Sequence, residues 1–203
     1  MKLVTLTGPS CAGKTTLARE LFKTGHFCEV VSFTSRSPRA GEVHGTDYYF
    51  LSKQECQDII DANAAAEHIE FKGNIYGIEK QEIVTKLALG KIPLLIVEPH
   101  GLEQIYHMFK EDLYSVYIDA PLELLYERFL ERFAAEYVFT SVTKEPINIK
   151  YHASRITAIH DEWKEWRKTS YSNFRISEFT SLNKKSIIDS LVEVLLKEKA
   201  KSD

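Results

Sequence analysis

Cysteine is scarce in this chain, methionine and tryptophan are rarer still, and there is almost no excess of either charge. The three cysteines are Cys11, Cys28 and Cys56. Their number is odd, none forms a C-x-x-C pair and none has metal-ligand spacing. That excludes a disulfide framework and a thiolate metal site, and it suits reduced thiols in a cytoplasmic setting. The seven histidines contain no H-x-x-x-H pair, so no histidine metal site is expected. A formal net charge of −3 excludes nucleic-acid binding by bulk positive charge but leaves room for a local phosphate site. Long hydrophobic runs are missing too. The longest, Ile92 to Val97, falls far short of the roughly 20 residues that cross a bilayer, so no membrane partner is expected. Met1 to Leu6 does not read as a signal peptide. No internal repeat or low-complexity stretch is present.

What is present starts at once. Gly8-Pro9-Ser10-Cys11-Ala12-Gly13-Lys14-Thr15 is G-x-x-x-x-G-K-[ST], a phosphate-cradling loop. Lys2 to Thr7 before it reads as a buried strand. Thr15 to Lys23 after it has helical spacing, with Leu17, Leu21 and Phe22 on one side. The chemistry explains the residue types. Glycine lets the loop wrap closely around an anion, and backbone N–H groups at the helix start form a nest for phosphate oxygens. Gly8, Ser10, Cys11, Ala12, Gly13, Lys14, Thr15 and Thr16 are therefore the candidate nucleotide-phosphate residues. Lys14 reaches the β- and γ-phosphates, and the Thr15 hydroxyl is the candidate Mg²⁺ ligand. Cys11 sits where a helix N-terminus lowers a thiol pKa; the simpler reading is a small loop residue.

Strand and helix signals alternate beyond that point. Strands are expected at 29–35, at 67–78 with a Gly73-Asn74 turn inside, and at 93–97, 114–119 and 174–176. Helices are expected from the Ser52-Glu55 capping box to about Ala62, and at 79–89, 101–111, from Pro121 to about Phe133, at 149–169 and at 186–199. Residues 134–148 lack periodicity and read as a mobile loop. The alternation implies an α/β fold with a central parallel sheet flanked by helices, whose ligands sit beyond the strand C-termini. Glu98 and Asp119 fall at that edge. The expected organisation is one domain. Segments 1–31, 79–132 and 170–203 form its core, 32–78 an inserted acceptor-binding lobe, and 133–169 a mobile lid with the helix that follows. Trp163 and Trp166 read as packing residues.

Arg36 and Arg39, three apart in a loop stiffened by Pro38, can grip a second anion. A second anion site beside a phosphate loop suits phosphoryl transfer between two nucleotides.

The chain resembles the guanylate kinases. The resemblance is carried by the loop Gly8 to Thr15 and by the segment from Val31-Ser32 through Thr34, Arg36, Pro38-Arg39, Gly41-Glu42, Gly45 and Asp47-Tyr48 to Phe50. Glu67-His68, Gly73 to Gly77, and Glu127 to Arg132 followed by Arg155 extend it, over roughly residues 1–180. It implies a kinase moving the ATP γ-phosphoryl group to GMP or dGMP with Mg²⁺, acting as a monomer or homodimer. It implies that Arg36, Arg39, Tyr48 and Tyr76 hold the acceptor phosphate and that Ser32 and Glu67 contact the guanine. It gives Lys14 and Thr15 to ATP and Mg²⁺, and makes Arg132 and Arg155 lid arginines; Lys14, Arg36, Arg132 and Arg155 are the candidate catalytic set. Three positions depart from the family. Ile78 replaces a Ser or Thr whose hydroxyl reads the purine 6-position. Ile96 and Glu98 replace the two acids of an Asp-x-Asp strand, leaving Glu98 to meet the base 2-amino group or to organise Mg²⁺ through water. Ser177 stands near a common adenine-contacting Asn. These departures leave open a kinase for another or modified purine monophosphate. A non-catalytic interaction module of the same fold, or a kinase for a phosphorylated sugar, are the readings from other classes; the intact Gly13-Lys14-Thr15 argues against the first.

Overall fold

The computed structural model describes residues 3–39, 41–71, 73–143, 149–168 and 171–201. The elements in chain order are β1 (Leu3–Thr7), α1 (Lys14–Lys23), β2 (Phe27–Glu29), β3 (Phe33–Thr34), β4 (Tyr49–Phe50), α2 (Lys53–Asp61), β5 (Ala65–Phe71) and β6 (Asn74–Glu79). They continue with α3 (Lys80–Ala88), β7 (Ile92–Ile96), α4 (Pro99–Phe109), β8 (Leu113–Ile118), α5 (Leu122–Thr143), α6 (Ile149–Trp166), β9 (Phe174–Ile176) and α7 (Lys184–Ala200).

Five strands form one sheet in the order β2-β7-β1-β8-β9, and every pairing in it is parallel. A parallel sheet with helices on both faces needs apolar side chains on both sides of its strands, and these strands supply them. Val4, Leu6, Ile92, Leu94, Val116 and Ile118 face a core shared with Leu17 and Leu21 of α1, Leu125 of α5 and Leu191 and Leu195 of α7. Leu3, Leu95, Val97 and Leu113 face the opposite core with Ile83 of α3 and Leu102 and Ile105 of α4. β1, β7 and β8 all end at one edge of this sheet. The loop 8–13, Glu98 and Asp119 follow directly from those ends.

A second sheet has the order β4-β3-β6-β5. β5 and β6 form an antiparallel hairpin, β3 is antiparallel to β6, and β4 is parallel to β3. The expected single strand at 29–35 is instead divided between the two sheets. β2 ends at Glu29 and β3 begins at Phe33, so the chain changes sheets between them. Both halves are apolar and β-prone, and periodicity alone carries no signal for the switch.

Local chemistry sets the helix ends. The Ser52 hydroxyl accepts from the Glu55 N–H, and the Glu55 carboxylate accepts from the Ser52 N–H, so the expected capping box is formed. Pro99 opens α4 at a position where its missing N–H costs nothing. A second expectation is overturned. Residues 134–143, expected as part of a loop, continue α5 as helix; 144–148 lie outside the described residues.

Candidate active site

The loop between β1 and α1 is built on close approach. Gly8 has φ +144°, and a Cβ there would lie 2.2 Å from the Ile118 carbonyl oxygen, so the loop can cross the end of β8 only with glycine. Gly13 has φ +104° and precedes the first turn of α1. Arg128 of α5 braces the loop from behind, donating to Cys11 O and Ala12 O, each at 3.2 Å, and to Phe179 O. Lys14 Nζ donates back to Gly8 O and, at 3.0 Å, to Pro9 O. Burial lowers the Lys14 pKa to about 8, against the pull of Glu162 and Glu98. Cys11 is buried, and desolvation raises its pKa despite nearby Arg132 and Arg155, so the simpler reading of this residue stands.

A cavity of about 430 Å³ opens over this loop. Ser10, Cys11, Gly13, Lys14 and Thr15 line one side, and Arg132, Arg155, Phe133, His152 and Ile159 of α5 and α6 the other. Arg132 and Arg155 thus share one cavity with Lys14. A second cavity, about 350 Å³, shares Cys11, Gly13 and Arg132 with the first and runs on past Thr16, Arg128, Phe179 and Thr180.

A third cavity, about 250 Å³, lies between the two sheets. Ser32, Tyr48, Glu67, Tyr76, Gly77, Ile96 and Glu98 line it, with Ile69 and Phe71 as apolar walls. Burial and the neighbouring Glu98 raise the Glu67 carboxyl to about 7. Two glycines make room for it. A Cβ on Gly101 of α4 would lie 3.0 Å from Glu67 Oε2, and a Cβ on Gly77 would lie 2.6 Å from Glu67 O and 2.5 Å from the Phe33 ring. Gln104 of α4 exchanges hydrogen bonds with the backbone of His68, both 3.2 Å, tying β5 to that helix.

Arg36 is fixed by Glu42, to which it donates two parallel hydrogen bonds of 2.9 Å. This pairing raises the Arg36 pKa and, from the other side, lowers that of Glu42. The guanidinium also stacks 5.5 Å from the Tyr48 ring centroid, and Tyr48 meets Tyr76 edge-on at 6.1 Å. Arg39 is exposed, and its backbone N–H also donates to Glu42.

Some expected site residues stand elsewhere. Ile78 is 2% exposed and packs in the core with Leu3, Val30, Ala66 and Val97, and it is not in the wall of the third cavity. It is paired in register with Glu67. Asp119, at the expected edge, is held by Arg167 at 3.0 Å and Arg175 at 3.5 Å. Trp166, read as a packing residue, places its ring 5.8 Å from Lys14 Nζ. Glu42, Gly101, Arg128 and Glu162 were not singled out as site residues from the sequence. Arg128 falls within the arginine pattern quoted above, and Glu42 within the segment around Arg36. Gly101 and Glu162 stand in ordinary helix sequence and give no local signal.

Comparison with known proteins settles the lineage. A family model described as guanylate kinase matches residues 1–155. The chain belongs to the guanylate kinase family. A guanylate kinase of Clostridium tetani is 35% identical over 130 residues, 64% of this chain and 62% of that protein. One from Synechocystis sp. is 41% identical over 128 residues, 63% of this chain and 67% of that one. The human guanylate kinase is 39% identical over 134 residues, 64% and 66% of the two chains. The matched stretch thus spans about three fifths to two thirds of these relatives' own length. Guanylate kinase of Anaplasma phagocytophilum has a similar fold, with a TM-score of 0.67 at 22% identity, covering 97% of this chain and 85% of that one.

Proposed function

We propose that this protein transfers the γ-phosphoryl group of ATP to GMP or dGMP, giving ADP and the nucleoside diphosphate. The observation that carries the reading is the pairing of two cavities at one sheet edge. One is ringed by Lys14, Arg132 and Arg155, and the other holds a buried acid, Glu67, beside Tyr48 and Tyr76. Such transfer calls for positioning and charge neutralisation rather than a general base. The N–H groups in the first turn of α1 have no partners within the helix, and they receive the ATP phosphates together with Lys14. The second cavity, past Phe179, takes the nucleoside end of ATP. Arg132 and Arg155 neutralise charge on the transferring group from the lid side. Tyr48, Tyr76 and Arg36, with Arg39 at the rim, take the acceptor phosphate. Ser32 and Glu67 meet the base, where a carboxylate accepts from guanine N1–H and the 2-amino group together.

Mg²⁺ fits the residues present. Thr15 is exposed to the loop cavity at the position where a hydroxyl joins the metal. Among the described residues no cluster of three His, Cys, Asp or Glu side chains could hold a metal alone, which suits an ion carried mainly by phosphates and water. When bound, the ion neutralises and orients the β- and γ-phosphate oxygens.

A second reading rests on Ile96 and Glu98, which line the cavity where the family has Asp-x-Asp, and on the polar base contact that Ile78, packed in the core, does not supply. Losing one such contact relaxes selection by about 1–3 kcal/mol, so another or modified purine monophosphate would be accepted. One coupled ADP assay with GMP, dGMP, dAMP, a 2-aminoadenine nucleotide and pyrimidine monophosphates decides. Brisk turnover of GMP or dGMP supports the main reading; silence on both with turnover of another purine replaces it. A chain that turns over nothing would be the non-catalytic module. We further propose a cytoplasmic monomer or homodimer; no helix among the described residues is long and apolar enough to cross a membrane.

A further inference from the structure

Glu162 belongs to none of the motifs described above, yet it touches the phosphate loop. It stands seven residues after Arg155 on α6, two helical turns on, so the two share a face. Both reach Ser10. The Ser10 N–H donates to Glu162 Oε2 at 2.7 Å, and Arg155 Nη2 donates to Ser10 Oγ. The same nitrogen lies 3.8 Å from Glu162 Oε1. The two side chains are 28% and 13% exposed, so water screens the pair less than it would on the open surface.

The arrangement separates two roles. Arg155 and Ser10 line the loop cavity, and Glu162, which contacts both, is not part of its lining. At 3.8 Å the carboxylate steers the guanidinium by charge without taking up its hydrogen bonds, so those donors stay available to an incoming oxyanion. The Ser10 N–H is already committed to Glu162, which leaves phosphate binding to the loop's later N–H groups. Glu162 therefore contributes a second anchor for α6, on the loop itself, close to where Arg155 must point.

We propose that Glu162 is a positioning residue, whose carboxylate pins α6 to Ser10 and aims Arg155 into the loop cavity. The proposal rests on the phosphoryl-transfer reading. The test compares Glu162→Gln, Arg155→Ala and the double variant in steady-state kinetics with ATP and the acceptor that the panel selects. Gln keeps the shape and an oxygen that accepts from Ser10 N–H, and it removes the charge. The expected result for Glu162→Gln is a fall in kcat of about tenfold, with KM for ATP moving less than about threefold. The double variant is expected to be no slower than Arg155→Ala alone, because Glu162 acts through that arginine. Unchanged kcat, losses that multiply, or a lower KM for ATP would each overturn the proposal; the last would make Glu162 an internal competitor of the phosphates. Thermal midpoints are taken for every variant. Should Glu162→Gln fold poorly, Glu162→Asp paired with Arg155→Ala reads the same coupling, because Asp keeps the charge but shortens the reach to the Ser10 N–H. Wild-type protein inactive on every acceptor would sink the reaction itself, whereas active wild type with uncoupled variants sinks this proposal alone.

Discussion

Lys14 and Glu67 carry opposite charges, and burial works against both. Lys14 titrates at about 8, so the nucleotide-free protein loses this charge as pH rises through 8. ATP affinity is expected to fall across the same window, read by equilibrium titration with a non-hydrolysable analogue on either side of it. Its effect on stability has the reverse sign. The folded pKa lies below the unfolded value, so the unfolded chain binds more protons between the two, and stability rises as pH climbs from 8 toward 10.5. Glu67 has a folded pKa near 7, above its unfolded 4.5. Here the folded state holds the extra proton, and its stabilising effect is lost as pH rises from 4.5 to 7. Recognition of guanine N1–H needs the carboxylate, so KM for GMP is expected to fall as pH rises through 7. Glu67→Gln should raise the thermal midpoint above pH 7, leave it nearly unchanged near pH 4.5, and raise KM for GMP by at least about tenfold. A variant with wild-type KM would remove Glu67 from the base site. The residue types at positions 14 and 67 are visible in the sequence. Their burial, which moves both pKa values, depends on β5, α4 and α6.

Among the elements, the β5–β6 hairpin and α4 decide where Glu67 sits. Gly77 lets the Phe33 ring and the Glu67 backbone close over β6, and Gly101 leaves space for the carboxylate on the α4 side. Gly77→Ala is expected to push β5 and β6 apart, destabilise the protein by about 1–3 kcal/mol, and raise KM for the acceptor much more than KM for ATP. Equal changes in the two constants would show that the hairpin is not specific to the acceptor. Most elements were legible from the chain. The capping box at Ser52 and Glu55, the alternating strands and the amphipathic α7 carry local signals. The change of sheet between Glu29 and Phe33 was not legible, because apolar β-branched and aromatic residues suit either sheet. Helix through 134–143 was not legible, because that stretch carries no apolar stripe for periodicity to report.

For the whole molecule, the loop cavity is assembled from α1 on one side and α5 and α6 on the other. A ligand filling it ties these elements together. ATP at a thousand times its dissociation constant stabilises a binding-competent fold by about 4 kcal/mol, so a marked rise in thermal midpoint is expected with ATP. Lys14→Ala should abolish that rise and leave the rise given by the acceptor alone. If the acceptor effect vanished too, the two sites would be one cooperative unit. Charge already links them: Glu98 lines the cavity between the sheets and favours the charged form of Lys14 in the other.

The sequence by itself determined the phosphate loop, the run of α/β elements, and the identities of Arg36, Tyr48, Glu67 and Tyr76. These rest on local rules, in which glycine, capping residues and apolar spacing act over a few positions. Only the tertiary structure decided that Ile78 packs in the core instead of lining the cavity between the sheets, that Glu42 fixes Arg36, and that Gly101 makes room for Glu67. It alone placed Glu162 on the Ser10 N–H. Gly101 with Glu67 and Glu162 with Ser10 join residues far apart in the chain, and Arg36 with Glu42 depends on how one loop folds back on itself; none of these leaves an imprint in the spacing of a single element.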